Sequence, residues 1–188
     1  MTVLFGTIVA DPPWKSQAGG GRYKRGADRH YPLMATRDIA ALHIPAAADA
    51  CLFLWSTWND VPNALLVMQA WGFRYTTGTP WIKLTVDGRG PSMGLGQYLR
   101  GCSEPLLLGI RGDIERLGGA APLGLLTDPI FAPRLQHSRK PDDVYGLAAF
   151  FPGPYLELFA RRPRDGWSVW GNEVDHSIQL GSVAGESK

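Results

Sequence analysis

Short apolar runs recur along this chain of 188 residues, separated by segments of helical character or by stretches rich in glycine and proline. The first run, Val3 to Ala10, carries several β-branched side chains and predicts a buried strand. The same pattern predicts further strands at 51–55, 81–83, 104–109, 155–160 and 167–170. Helices are predicted at 36–43 with Thr36 as N-cap, at 62–71 and at 140–150, and proline marks the start of the last two.

The alternation of predicted strands and helices favours an α/β fold with one mixed, mostly parallel sheet. Residues 113–136 are interrupted by glycine and proline, and no element is assigned to them. Nothing in the pattern indicates a repeat or a second domain. We therefore expect one domain over residues 1–175, with the chain fraying after Glu173 into a flexible tail at 176–188.

The segment Asp11-Pro12-Pro13-Trp14 follows the first predicted strand directly. Because Pro13 has no N–H to donate, the strand cannot continue and the chain must turn there. Open α/β sheets bind ligands at the carboxyl ends of their strands. At that place Asp11 would offer a carboxylate, the prolines fixed carbonyls and Trp14 a flat apolar face, which together could hold a planar base by its exocyclic amine. The alternative is an ordinary turn beside a core tryptophan, so the interpretation depends on a cofactor site elsewhere in the chain.

Composition limits the kinds of partner that the chain can have. The formal net charge of +2 is too small for general nucleic-acid binding, so any basic footprint must be local. Seven tryptophans suit core packing and base stacking alike. The two cysteines and four histidines show no metal-ligand spacing, and we expect no metal. No signal peptide or membrane span is recognisable, which predicts a soluble cytoplasmic protein.

The loop after Trp14 supplies such a local footprint, because it combines three consecutive glycines with basic side chains. The candidates for contacting nucleic-acid phosphates are Lys15, Arg22, Lys24, Arg25 and Arg29. A solvated loop without a partner is the alternative. Tyr31 and Trp58 could stack on nucleotides, with core packing as the alternative for both. Since the chain has no GxGxxG after a strand and no GxxxxGK[ST], a nucleoside cofactor would be held by side chains at strand ends.

An ordered series of motifs covers nearly the whole chain. It comprises ADPPW (10–14), HYPLM (30–34), LFLWST (52–57), WGFRY (71–75), WIK (81–83), GCSEPLLLGIRG (101–112), HSRKPDDVYG (137–146), YLELFAR (155–161) and GW…WGNE (166–173). In this order the series resembles the adenine-N6 methyltransferases of the m6A-writer type, the permuted family that carries DPPW. That family includes the messenger-RNA enzyme and many bacterial and phage DNA enzymes.

The resemblance implies a Rossmann-like methyltransferase sandwich in which the catalytic strand comes first, and S-adenosylmethionine as cofactor. Lys140 would pair with the methionine carboxylate of the cofactor, while Glu157 and Phe159 would line its pocket. Contacts to the ribose and adenosine would come from Arg161, Asn172 and Glu173. Without the resemblance, Lys140 and Glu173 would be read as solvated charges and Phe159 as a core residue.

The same resemblance makes Asp11, Pro12, Pro13 and Trp14 the catalytic segment, with Asp11 also bordering the cofactor. An adenine amine is a poor nucleophile because its lone pair is delocalised into the ring. The Asp11 carboxylate and the Pro12 carbonyl are the predicted acceptors for its two N–H groups, with Trp14 stacked on the base. A paired base cannot reach such a corner, so the adenine must be flipped or unpaired.

Two departures from the family pattern affect the cofactor site. Only ten residues precede Asp11, so the wall that longer relatives place against the cofactor's adenine would be short or replaced. Glu173 stands where the RNA enzyme has glutamine. The compact chain favours DNA as substrate. RNA, a catalytically silent nucleic-acid scaffold and a small-molecule methyltransferase are the alternatives, and self-association as a homodimer stays open.

Overall fold

The computed structural model describes residues 3–15, 33–94, 98–113, 128–134 and 139–180. Its strands are β1 (Phe5–Ala10), β2 (Ala46–Trp55), β3 (Arg74–Leu84), β4 (Ser103–Arg111), β5 (Ile130–Pro133), β6 (Tyr155–Leu158) and β7 (Trp167–Trp170). Its helices are α1 (Thr36–Ala40), α2 (Val61–Ala70) and α3 (Asp143–Ala148), and a 3-10 turn at Trp58–Asp60 joins β2 to α2. Among these helices none is long and apolar enough to cross a lipid bilayer.

Within the described part of the chain, the strands form one seven-stranded sheet in the order β5-β3-β4-β2-β1-β6-β7. The pairs β1–β2, β1–β6, β6–β7 and β3–β5 are parallel. Of the strands described here, β4 alone runs antiparallel to its neighbours, β2 and β3. The predicted fold class is therefore confirmed: the sheet is mixed and mostly parallel, and the first strand of the chain lies near its centre, as in a permuted Rossmann-like methyltransferase.

The two faces of the sheet carry separate apolar clusters. Ile8 of β1 belongs to the cluster that α1 and α2 cover, whereas Val9 belongs to the cluster that α3 covers. This alternation follows from the two-residue period of a strand. All six residues of β1 are buried. By the same period, Asp11 continues the face of Val9, which is also the face of Trp55.

The position of β1 creates a switch point in the sheet. Its neighbour β2 follows it in the chain, whereas β6 comes from the far end of the domain. Ala10 is paired on one side with Leu54 and on the other with Leu158, so three parallel strands end together. Open α/β sheets form their ligand crevices at such points.

Several elements begin or end at residues that differ from the sequence predictions. β3 begins at Arg74, earlier than the predicted start at residue 81. The prediction missed its first half because these residues are exposed and polar and show no strand pattern. β5 falls within the stretch to which the sequence assigned nothing. The prediction of Thr36 as N-cap is wrong: Ala35 occupies that position in an extended conformation, with no side-chain capping bond.

The residues after Glu173, which the sequence predicts to fray, contact the rest of the domain as far as Leu180. The Ser177 N–H donates to the Val169 carbonyl at 3.0 Å. Ile178 and Leu180 pack against the apolar cluster on the α1 side of the sheet. Apolar side chains therefore fix residues that the sequence assigned to the tail, and residues 181–188 lie outside the described ranges.

Candidate active site

The corner that follows β1 is tied to both of its neighbouring strands. The Asp11 N–H donates to the Leu158 carbonyl at 3.4 Å. The Trp14 indole N–H donates to the Trp55 carbonyl at 3.0 Å. The Pro12 carbonyl accepts the Trp14 N–H at 2.9 Å, and a carbonyl oxygen has a second lone pair that can accept from another donor.

Trp14 and Pro13 also connect the corner to the segment before α1. The Pro13 carbonyl accepts the Met34 N–H at 2.9 Å, and the Lys15 N–H donates to the Met34 carbonyl at 3.1 Å. The Trp14 side chain is partly buried and packs against the apolar cluster on the α1 side. Its indole thus anchors the corner, in addition to any contact that it makes with a base.

The Asp11 carboxylate is bound by Lys140. The ammonium nitrogen of Lys140 lies 2.8 Å from Asp11 Oδ1 and 2.9 Å from Oδ2. It also lies 3.4 Å from Glu104 Oε2 and 5.8 Å from the ring centroid of Trp55. Lys140 precedes α3, which packs on the same face of the sheet as Asp11. Packing of α3 therefore brings together two groups that are 129 residues apart.

Glu104, at the beginning of β4, lies between two lysines. Its carboxylate accepts a short hydrogen bond from Lys83 and faces Lys140. The side chain is only 18% exposed. Burial raises the pKa of Glu104, but the positive charges of Lys140 and Lys83 outweigh it and leave that pKa below its usual value. Glu104 is therefore an ionised acid that holds both lysines.

A cavity of about 550 Å³ opens beside Asp11 and Lys140. Its volume falls in the range of roughly 300–1,000 Å³ that is typical of small-molecule sites. Six of the residues predicted from the sequence line it: Asp11, Lys140, Glu157, Phe159, Arg161 and Glu173. Trp55 and Tyr145 add aromatic surface, and Asp142 and Arg162 add charge.

Glu157 of β6 is a partly buried acid with one oxygen that is incompletely paired. Burial raises the pKa of Glu157, although a hydrogen bond with Tyr145 and the charge of Arg164 oppose the shift. Its Oε2 atom is buried and has no hydrogen-bond partner among the described residues, and Arg164 Nε is 3.8 Å away. Because a buried acceptor without a donor is unfavourable, this oxygen is suited to bind a hydroxyl or ammonium group of a ligand.

Phe159 directly follows β6 in a left-handed backbone conformation with φ of 61°. Such a conformation is uncommon for a bulky residue, and here the Phe159 ring meets the Trp170 ring edge to face, at an angle of 77° and with centroids 5.3 Å apart. Arg161 Nε lies 3.8 Å from Glu173 Oε1 beside it. Asn172 lines a smaller adjoining cavity of about 40 Å³, together with Asp11, Pro13 and Phe159 among others.

Asp142 forms a charged cluster at the outer side of the large cavity. It accepts hydrogen bonds from Arg139 and Arg164, each at 2.8 Å, and a short one from Arg162. Burial raises the pKa of Asp142, but these guanidinium groups outweigh it and lower that pKa to about 2. Arg164 also stacks over the Tyr145 ring at 3.3 Å from its centroid. The cluster fixes the segment before α3, which carries Lys140.

The predicted nucleic-acid contacts are described only in part. Lys15 is exposed and directly follows Trp14 at the corner after β1. Arg22, Lys24, Arg25, Arg29 and Tyr31 lie outside the described residues. In the described ranges no group of three or more His, Cys, Asp or Glu side chains could hold a metal ion.

The sequence did not single out Glu104, Tyr145, Asp142 or Arg162. Glu104 stands at the start of a predicted strand and gives no local signal that two lysines face it. In the sequence Asp142 is only an acid near the start of a predicted helix, where a negative charge is favourable in any case. The one hint for Arg162 is that it directly follows Arg161, the last residue of the YLELFAR motif.

The assembled groups can perform a limited range of chemistry. A carboxylate and a carbonyl at one corner provide acceptors for an amine with two N–H groups. The adjoining cavity offers cations, acids and aromatic faces suited to a charged ligand with a purine and a diol. This combination fits group transfer to an exocyclic amine.

Comparisons with known proteins agree with this chemistry. The model of the MT-A70 family matches residues 5–173. The chain is 32% identical over 200 residues to the Type II methyltransferase M.MunI from Mycoplasma sp, over 94% of this chain and 81% of that protein. It is 30% identical to an N(6)-adenosine-methyltransferase MT-A70-like protein from Arabidopsis thaliana, over 91% of this chain and 24% of that protein. Against the N(6)-adenosine-methyltransferase catalytic subunit METTL3 from Homo sapiens, the identity is 28%, over 91% of this chain and 28% of that protein.

Proposed function

The chain belongs to the MT-A70 family, and on that premise we propose that it transfers a methyl group from S-adenosylmethionine to the N6 amine of a flipped or unpaired adenine in DNA. The family match and the relatives support an adenine-N6 methyltransferase. The choice of DNA, the cofactor and the residue roles are the additional content of the proposal. One observation carries it: the Asp11 carboxylate, a suitable amine acceptor, lines the same cavity as the residues suited to the cofactor.

The residues of the large cavity fit S-adenosylmethionine, which when bound supplies a methyl group on a positively charged sulfur. Lys140 and Arg162 can attract its carboxylate, and the Glu157 oxygen that has no hydrogen bond from the described residues can accept one from its ammonium or a hydroxyl. Phe159 offers an aromatic face next to Arg161. A further hydrogen bond to the nucleoside part would come from Asn172 in the adjoining cavity.

Asp11 and Pro12 would activate the adenine amine. Two acceptors draw the N–H groups of the amine, so that its nitrogen becomes pyramidal and its lone pair is freed from the ring. The nitrogen would form a bond to the methyl carbon as the carbon–sulfur bond of the cofactor breaks, and the extra proton would then be lost to solvent. Asp11 need not act as a strong base. Holding the reactants in line can supply ~7–11 kcal/mol of the barrier lowering.

Lys140 would have two contacts to balance during this reaction. A carboxylate has about four lone-pair positions, so Asp11 can accept from an amine while it keeps one hydrogen bond from Lys140. Glu104 Oε2 lies 3.4 Å from the Lys140 ammonium nitrogen and provides a second negative charge for it to pair with. Asp11 can therefore accept hydrogen bonds from a substrate while Lys140 keeps Glu104 as a partner.

We favour DNA over RNA because of how far the similarities extend. The match covers 81% of the Type II methyltransferase M.MunI. It covers only 24% and 28% of the N(6)-adenosine-methyltransferases from Arabidopsis thaliana and Homo sapiens. The match thus describes most of the Type II methyltransferase and about a quarter of the two N(6)-adenosine-methyltransferases, and the proposal takes its type of substrate from the first.

The test is methyl transfer from labelled S-adenosylmethionine to matched single-stranded DNA, duplex DNA and RNA, followed by mass analysis of the nucleosides. We expect N6-methyladenine, and more of it in DNA than in RNA. Asp11→Asn should lower turnover by about 100-fold or more, as the loss of one preorganised hydrogen-bonding group in an active site does. Asp11→Ala should abolish turnover while cofactor binding persists.

Asp38→Asn is the matched control for this experiment, because Asp38 is an exposed acid with a solvent-exposed arginine partner. It should leave turnover unchanged. Wild-type turnover in Asp11→Ala would contradict the assigned chemistry. A preference for RNA would overturn the choice of DNA and leave the chemistry intact.

A further inference from the structure

Trp58 is a large aromatic residue that the core does not use. It opens the 3-10 turn directly after β2, and 57% of its surface is exposed. Trp55, three residues earlier, is only 1% exposed. Core packing, the alternative that the sequence left for Trp58, therefore does not explain it.

Hydrogen bonds hold the Trp58 ring and its turn in place. The indole N–H donates to Ser103 Oγ at 3.0 Å. The turn itself is fixed by the buried Asp60, which accepts from Thr57 Oγ1 at 2.8 Å and from Asn63 at 3.3 Å. An exposed ring that is already immobilised loses little conformational entropy when a flat partner covers it.

The position of Trp58 connects it with the candidate active site. Its partner Ser103 precedes Glu104, whose carboxylate lies 3.4 Å from the Lys140 ammonium that binds Asp11. Trp55 lines the large cavity, whereas Trp58 is not among the described residues that do. Trp58 therefore stands at the same edge of the sheet as Asp11, outside the cavity.

We propose that Trp58 stacks on the nucleobase next to the target adenine and thereby positions the strand for methyl transfer. The inference rests on the proposed function, since it requires a nucleic-acid substrate at Asp11. Every nucleobase offers a flat face to an aromatic ring, so such stacking is tolerant of sequence. An adenine that leaves its stack to reach Asp11 also exposes the face of its neighbour, which Trp58 covers.

The test compares the steady-state kinetics of the wild type, Trp58→Ala and Trp58→Phe on a single-stranded oligonucleotide with one adenine. Trp58→Ala should raise KM for the oligonucleotide about 5- to 140-fold, which is the ~1–3 kcal/mol of one base–aromatic stack converted at 1.4 kcal/mol per tenfold. The value of kcat should change little, because the contact is made equally in the ground and transition states. Trp58→Phe keeps a stacking face and should restore most of the affinity.

A second oligonucleotide, abasic at the position beside the adenine, identifies the partner of the ring. The nucleotides on the two sides of the adenine are made abasic one at a time. At one of these positions the missing base should raise KM for the wild type, whereas it should not raise the KM of Trp58→Ala beyond the value on the intact oligonucleotide. This loss of additivity is the signature of a direct contact. Where Trp58→Ala does not fold, Trp58→Leu supplies an apolar side chain without a ring for the same cycle.

Tyr75→Ala is the matched control, because Tyr75 is 48% exposed and lies at the beginning of β3, at the opposite edge of the sheet. It should leave KM unchanged. An unchanged KM in Trp58→Ala, an equal rise in Tyr75→Ala, or additive effects at both abasic positions would overturn the inference while the wild type still methylates. A wild type that methylates no oligonucleotide overturns the proposed function, and the inference with it.

Discussion

Replacement of Glu104 by glutamine tests the charge network around Lys140. The change keeps the size of the side chain and removes the negative charge that faces two lysines. At 3.4 Å the attraction between Glu104 and Lys140 amounts to about 5 kcal/mol with an effective dielectric constant near 20. Relief of the buried carboxylate's desolvation offsets part of this, and we expect a net loss of ~1–3 kcal/mol in the free energy of unfolding.

The assay is urea unfolding of the wild type, Glu104→Gln and the control Asp38→Asn between pH 3 and 8. Asp38 is 56% exposed, and its exposed pair should contribute less than ~1 kcal/mol. The pKa of Glu104 is lowered in the folded protein from an ordinary value of 4.5. Its stabilising contribution is therefore complete above that value and is lost as the pH falls through the lowered pKa.

The stability difference between the wild type and Glu104→Gln should consequently be constant near neutral pH and shrink in acid. The proposed function has Lys140 contact the carboxylate of S-adenosylmethionine. Loss of its contact with Glu104 should then leave the lysine less well positioned and change the dissociation constant of the cofactor as well. A difference that is zero, or one that does not depend on pH below 4.5, would show that Glu104 does not hold the lysines as an ionised acid.

Two further predictions concern the fold around the site, one tested with glycine substitutions and the other with a thiol reagent. Gly171→Ala places a methyl group against the backbone of Ala160, so it should lower the free energy of unfolding by about 1–3 kcal/mol or more. Gly146 in α3 has open space around it, and Gly146→Ala should stabilise the domain by ~0.5–1 kcal/mol. Similar melting temperatures for the two variants in thermal unfolding would refute the contact between Gly171 and Ala160. Burial raises the pKa of the Cys51 thiol to about 12, so Ellman's reagent at pH 8 should label Cys102 in the native protein and Cys51 only after unfolding; equal rates for both thiols would show that Cys51 is not buried.

Local signals explain why the centre of the fold was predictable. The apolar run of β1 and the prolines that end it act through neighbouring residues, so the strand and its corner could be read from the sequence. The first half of β3 could not, since its exposed side chains show no alternation and it is held by pairing with β4. β5 is equally silent in the sequence and depends on its pairing with the end of β3.

The site shows the same division between local and distant causes. The resemblance pointed to Asp11 and Lys140 separately, and the structure adds that they are bound to each other. Their contact depends on how α3 packs across the sheet, which no spacing along the chain encodes. Glu104 was overlooked for a related reason, because its importance arises from lysines on β3 and before α3.

The pairing of β1 on both sides has a consequence for how the protein can move. Two ladders of hydrogen bonds hold the backbone that ends at Asp11, so displacement of the backbone that carries this carboxylate would require breaking the sheet near its centre. Lys140 reaches Asp11 through a long side chain from the segment before α3, so its ammonium can change position without any change in the sheet. Variants within β1 should thus report on unfolding, and variants around Lys140 on the rates of ligand entry and product release.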